Sequence, residues 1–220
     1  MQAARARTST FVASRLLGGL AAVCLLLSAC ARLPYTTQVI QEDKRVVVII
    51  QREVEHKGYT HPVSFKPDEL KALLAGFSIR EQKSVPLRWF SEDVPPKKIF
   101  RLDELEALAP ALTEAFAKAG PDERVHFTLL APGPNPNYDR DTTAGWLVFR
   151  DPFFHLEVEY FHTLLPVRKI DQYDYNFPLT NKAPASYLLY FEPGRFWVVD
   201  PAIGKRGVDA RAFLKAAGSP

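Results

Sequence analysis

From Arg124 onward the apolar residues recur at every second position, and that period leaves the chain little choice but β-sheet. Val125, Phe127 and Leu129 alternate with polar neighbours, which sets them on one face of a strand. Residues 145–150 and 153–161 read as two further strands joined at Asp151-Pro152, a hairpin. A second hairpin is expected from 186–191 and 196–200, where Pro193-Gly194 suits a tight turn. Upstream, Val46 to Ile50 is a β-branched run inside a strand over 44–55, dense enough for a central position. Shorter strands are expected at 62–65, 77–82 and 87–90, the last in a stretch broken by Pro86, Pro95 and Pro96.

The period changes twice to that of a helix. Leu70, Leu73, Leu74 and Phe77 share one helical face behind Lys66-Pro67-Asp68-Glu69, where proline suits the first helical position and acids the first turn. Gly76 is expected to stop this helix in the left-handed conformation. Leu105, Leu108, Leu112, Phe116 and Ala119 define a longer helix, opened by Asp103 or a neighbour and closed at Gly120-Pro121. Pro110 either kinks it or restarts it. A terminal helix over 209–217 brings Phe213 and Leu214 for docking, while 131–143 and the tyrosine-rich 164–185 read as loops. Strands that come in consecutive pairs favour an α+β domain over 39–220: a mostly antiparallel sheet with two main helices packed on one face.

Ahead of this domain stands a leader of a different kind. Arg5, Arg7 and Arg15 are its only charged residues, and Leu16 to Leu27 is an apolar run of twelve. That suffices for a signal-peptide core and falls short of the ~20 residues of a spanning helix. An uncleaved anchor over 11–29 would have to carry Arg15 into the bilayer, at about 2.5 kcal/mol or more near its centre. Leu27-Ser28-Ala29-Cys30 resembles the lipobox of bacterial lipoproteins. The resemblance implies diacylglycerol on the Cys30 sulfur, cleavage before Cys30 so that 1–29 is removed, and acylation of the new amino group; it covers the leader alone. Residues 30–38 would then be the lipidated N-terminus and a short tether, the membrane a partner through the lipid. Ala31 stands where an aspartate would, in enterobacterial lipoproteins, retain the protein at the inner membrane, which favours the outer membrane.

Removal of the leader changes the electrostatics. The chain has 28 basic and 25 acidic residues, and three of the basic ones lie in the leader. The remainder is neutral, with no general basicity to recruit nucleic acid. Of the two cysteines, Cys24 leaves with the leader and Cys30 is taken by lipid, so no disulfide, thiolate metal site or thiol nucleophile is expected.

Candidate chemistry centres on His155, Glu157 and Glu159, which a regular strand would set on one face at ~7 Å spacing. They could seed acid-base or metal work, although alternation this regular favours the solvated side of a half-buried strand. Asn135, Asn137, Asp139 and Asp141 offer oxygens at alternate positions without the glycine and terminal acid of a calcium loop. Asp171 and Asp174, among tyrosines, fit either a sugar- or peptide-binding groove or a loop packing its own rings. His56, His61 and His126 read as structural or exposed. No nucleophile elbow, phosphate loop or metal-ligand spacing is present, so no catalytic residue, metal or cofactor is assigned. The expected function is a periplasm-facing, membrane-anchored binding or assembly domain whose ligand the sequence does not name, an envelope protein partner or a cell-wall or lipid component; the alternatives are an envelope hydrolase built on the carboxylates and histidine, and a structural spacer.

Overall fold

The computed structural model describes residues 37–55, 57–81, 95–137, 139–166 and 187–218. The β-branched run becomes β2 (Val46–Arg52), in which Val46, Val48 and Ile50 are buried and Val47 and Ile49 half-buried. It is an interior strand, antiparallel to β1 (Thr37–Glu42) on one side and β5 (Glu123–Pro132) on the other. β1 opens at Thr37, within the stretch read as tether, and its polar residues carry no period. It is held by backbone pairing from Thr37↔Gln51 to Glu42↔Val47.

Among the described residues a seven-stranded sheet runs in the order β1-β2-β5-β6-β7-β10-β9, with β6 at Asp139–Arg150, β7 at Phe153–Pro166, β9 at Trp197–Val199 and β10 at Arg206–Asp209. Its pairings are antiparallel. A three-stranded sheet, β4-β3-β8, is formed by β3 (Phe77–Glu81), β4 (Lys97–Lys98) and β8 (Tyr187–Phe191). The helices are α1 (Pro67–Ala75), α2 (Leu102–Lys118) and α3 (Ala210–Ala217). The architecture is α+β with a mostly antiparallel sheet, as the pairing of strands in sequence implied. α1 packs on α2, α2 lies against β1, β2 and β5, and the short α3 sits against β7 and β10.

Both longer helices begin by the same device. The Glu69 carboxylate accepts the Lys66 N–H at 2.8 Å, and the Glu104 carboxylate accepts the Arg101 N–H at 2.8 Å, so an acid at the third helical position turns back on the entering chain. α2 runs through Pro110 as one helix, with that ring exposed and Leu105, Leu108, Leu112 and Phe116 buried beneath. Gly76 ends α1 in the right-handed region, at φ −70°, not the left-handed one expected. Its lack of a side chain serves a close approach: a Cβ there would stand 2.4 Å from the Phe191 ring.

Three further expectations give way. Residues 62–65 form no strand, because the Val63 N–H is spent on the Phe116 carbonyl at the end of α2, 3.0 Å away. The loop expected over 131–143 is mostly ladder: Leu129↔Thr143 through Pro132↔Arg140 pair across β5 and β6, and Thr142 and Thr143 are buried despite their hydroxyls. The hairpin expected over 186–200 does not close. β8 pairs with β3 and β9 with β10, so the turn at Gly194–Phe196 passes the chain from one sheet to the other. Phe213 of α3 holds that crossing, edge-on to Phe191 and Phe196 with centroids 5.2 and 5.5 Å away. The strand expected over 87–90 lies outside the described residues.

The core lies on the α2 side of the large sheet. Val48, Ile50, Val125, Phe127 and Leu147 bring fully buried side chains to it. Phe65, Phe116, Phe149 and Phe154 interlock with centroids 5.3 to 6.1 Å apart.

Candidate functional site

Period-two strands that bury one set of side chains must present the other, and here the other set is not bland. Val125↔Leu147 and Val148↔His155 fix the register of β5, β6 and β7. Arg124, Trp146, Val148, Arg150 and His155 therefore stand on the face away from the core. They line a cleft of about 720 Å³, flanked by Lys57 and Tyr59 on one side and by Ile203 and Lys205 of the β9–β10 connection on the other. Tyr187, Leu189 and Trp197 add apolar lining. The charged lining is Lys57, Arg124, Arg150, Lys205 and Arg206 against Glu53 and Glu157. Lys57 is paired with Glu55 at 2.6 Å and Arg150 lies 4.0 Å from Asp200, so the positive excess is small and comes from Lys205 and Arg206 at the edge of the cleft.

The two cleft arginines are held by different means. The Arg124 guanidinium lies over the Trp146 ring, 3.5 Å from its centroid. Its Nε is buried and makes no hydrogen bond, the nearest carboxylate oxygen, on Glu53, being 3.7 Å away. Glu53 is already engaged by the Tyr59 hydroxyl, which donates to it at 2.8 Å. Burial, helped by that carboxylate, holds the Tyr59 hydroxyl well above its usual range, so it stays a donor. Arg150 donates through Nη2 to the Lys57 carbonyl, and its Nε stands 4.0 Å from Asp200.

The three acid-base candidates are not brought together. His155 is buried; Nε2 faces the Asp200 carboxylate at 3.1 Å and Nδ1 the Arg206 carbonyl at 3.3 Å, so both ring nitrogens are engaged within the fold. Glu157, opposite Trp146, is exposed. Between Val158 and Tyr160 the pairing with β6 slips by one residue, and Glu159 is the extra residue of the resulting bulge. Its carboxylate is met by His126 Nε2 at 3.0 Å and by the Trp146 indole N–H. The His126 contact first, then the indole, holds the Glu159 carboxyl below its ordinary range against the opposing effect of burial.

The remaining histidines divide. His61 is buried, donating from Nδ1 to the Glu123 carbonyl at 2.8 Å and accepting the Phe149 N–H at Nε2, 3.0 Å away. Burial drives it down to about 4, so it is neutral near pH 7. His162, at φ 44° beside the bulge, meets Asp141 at 2.8 Å. Asp139 and Asp141 belong to β6, while Asn135 and Asn137 stay exposed in the β5–β6 connection. Among the described residues no group of three or more His, Cys, Asp or Glu is placed to hold a metal ion. His56, Asp171, Asp174 and the Cys30 segment lie outside the described residues.

Arg124, Arg150, Trp146 and Asp200 did not stand out in the sequence. Arg124 and Arg150 were discoverable, since each occupies an out-facing position next to an in-facing Val125 or Phe149. Asp200 was not, because its partner His155 is 45 residues away. No family model, curated protein or solved structure matches the chain.

Proposed function

We propose that the protein is a lipoprotein of the bacterial cell envelope, held by diacylglycerol on Cys30, with its α+β domain on the periplasmic side binding a ligand or partner. The observation that carries this reading is Leu27-Ser28-Ala29-Cys30 at the end of an uncharged apolar run behind three arginines. One acyl chain gives only marginal attachment, at ~0.8 kcal/mol per buried methylene, so the two or three chains of a mature lipoprotein make it lasting. Ala31 after the cysteine favours the outer membrane.

Binding is favoured over turnover because the best base among the candidates, His155, has both ring nitrogens committed to Asp200 and the Arg206 carbonyl. A cleft with several cations and aromatic walls, and no serine, threonine or cysteine in its described lining, suits recognition. Labelled palmitate tests the anchor: it enters the wild-type protein and is lost with Cys30→Ser, and continued labelling of that variant refutes the assignment. Crosslinking in cells tests the domain, since a spacer would recover no stoichiometric partner.

A further inference from the structure

We propose that the cleft between Arg124 and Arg150 is a binding site for a phosphate group carried on a partly apolar molecule. The inference extends the binding role proposed above, and it rests on how the cleft cations are spent. An arginine fully used inside a fold has its fork matched to a carboxylate at hydrogen-bond distance. Arg101 is such a case, with its Nη2 2.6 Å from Glu104. Arg124 and Arg150 are not: their nearest carboxylates, on Glu53 and Asp200, stand at 3.7 and 4.0 Å. Both carboxylates have nearer partners, the Tyr59 hydroxyl at 2.8 Å and His155 at 3.1 Å. Each guanidinium is thus oriented with its carboxylate at the long limit of an ion pair, too far to take up its donors in hydrogen bonds. Stacking on Trp146 fixes the plane of Arg124, whose Nε makes no hydrogen bond, and the Lys57 carbonyl takes one Arg150 donor of five.

The register sets their spacing. Arg124 is one residue from the Val125↔Leu147 pair, which puts it opposite Val148, and Arg150 lies two residues further along β6. Such diagonal neighbours on one face have Cα atoms roughly 7–8 Å apart, so two long side chains can close on one small anion. Lys205 and Arg206 are exposed at the rim with no ion-pair partner among the described residues. A planar carboxylate is satisfied by a single guanidinium, whereas donors converging from β5, β6 and the β9–β10 connection suit a tetrahedral group bearing more than one charge. Tyr187, Leu189 and Trp197 then offer an apolar wall to the rest of the molecule.

Trp146 and Trp197 make the site its own reporter. The full-length protein in non-ionic detergent is titrated with glycerol phosphate, with dihexanoyl phosphatidic acid and with uncharged dihexanoylglycerol, following tryptophan emission and calorimetric heat. Saturable binding of the phosphatidic acid alone supports the proposal with a lipid headgroup as source. Saturable binding of both phosphates, tighter for the phosphatidic acid, supports it with soluble esters also admitted as source, whereas equal binding of the two means that the apolar wall takes no part and overturns it. In either supporting case Arg124→Gln with Arg150→Gln should weaken binding at least tenfold, and raising the salt should weaken it further. Lys205→Gln, at an exposed position whose loss cannot cost the fold, should weaken it about two- to fivefold. Lys118→Gln, on the exposed face of α2, should leave it unchanged. No saturable binding of either phosphate, equal binding of the uncharged diglyceride, or binding indifferent to Arg124, Arg150 and Lys205 overturns it. Palmitate labelling that persists in Cys30→Ser would leave these titrations standing, and their failure would leave the labelling standing, so the two readings fall separately.

Discussion

A buried histidine and a glycine without room for a methyl group set the most exacting conditions on this fold. His61 holds the 57–66 segment to both β5 and β6 as a neutral ring. Its pKa falls from 6.5 to about 4 on folding, mainly through burial. The unfolded chain therefore takes up the proton first, and the His61 contribution is complete above pH 6.5 and lost as pH falls through 6.5 towards 4. At 1.36 kcal/mol per unit the loss reaches about 3 kcal/mol. Urea unfolding from pH 7.5 to 4 should show that decline in the wild type and a flatter profile in His61→Gln, which keeps one donor and one acceptor; equal slopes would reject His61 as the source. Gly207 lets the His155 ring lie on the β10 backbone, since a Cβ there would stand 2.6 Å from the imidazole. The ring is held by Asp200 and cannot give freely, so Gly207→Ala should cost about 1–3 kcal/mol. In a His155→Ala background that cost should shrink, and a double-mutant cycle with no coupling would show that the strain lies elsewhere.

At the level of elements, α2 carries the test that runs against habit. Pro110 sits in the middle of Leu102–Lys118 on its exposed side. Proline in a helix interior is ~3 kcal/mol worse than alanine, offset by up to about 1 kcal/mol through the freer unfolded chain. Pro110→Ala should therefore stabilise the protein by roughly 2 kcal/mol, read as a rise in the unfolding midpoint; a fall would mean that the ring packs where it is drawn as exposed. The same element shows what sequence could tell. Leu105, Leu108, Leu112 and Phe116 announced a helix and its buried side, as Val125, Phe127 and Leu129 announced a strand, because burial of one face imposes a period. Pairing imposes none. β1 is held chiefly by ladder bonds to β2, and the β10 segment Arg206–Asp209 brings a single core side chain, Val208, too few to set a period, so neither gave a sign. Pro193-Gly194 signalled a turn correctly without revealing that the next strand joins the other sheet, because that choice lies with Phe191, Phe196 and Phe213. The polar face of β7 was legible as a face; the one-residue slip that turns Glu159 to His126 and Trp146 was not.

For the molecule as a whole, an anchor at Cys30, as proposed, would leave only a short stretch of chain before the sheet begins. Six residues lie between Cys30 and Thr37, where β1 begins, which makes seven Cα-to-Cα steps. At no more than ~3.6 Å per residue, an acylated Cys30 would hold the start of the sheet within about 25 Å of the headgroups. β1 adds roughly 20 Å to Glu42 at its far end, so no orientation of the domain can carry that residue beyond about 45 Å. Once a lipoprotein leader is removed, the chain has no thiol besides the lipidated one. Glu42→Cys, exposed and at the end of an edge strand, would supply a single labelling site. A donor dye there should transfer energy strongly to acceptor lipids in vesicles that carry the acylated protein. Lengthening the tether by twenty glycine-serine residues should lower that transfer, since a flexible chain of that size spans about 25 Å on average. Transfer unaffected by the insertion would mean that the domain lies on the bilayer through a surface of its own. Arg124, Arg150 and Lys205 would then be the first residues to neutralise, because a cationic cleft is drawn to anionic headgroups and would give the domain a second foothold.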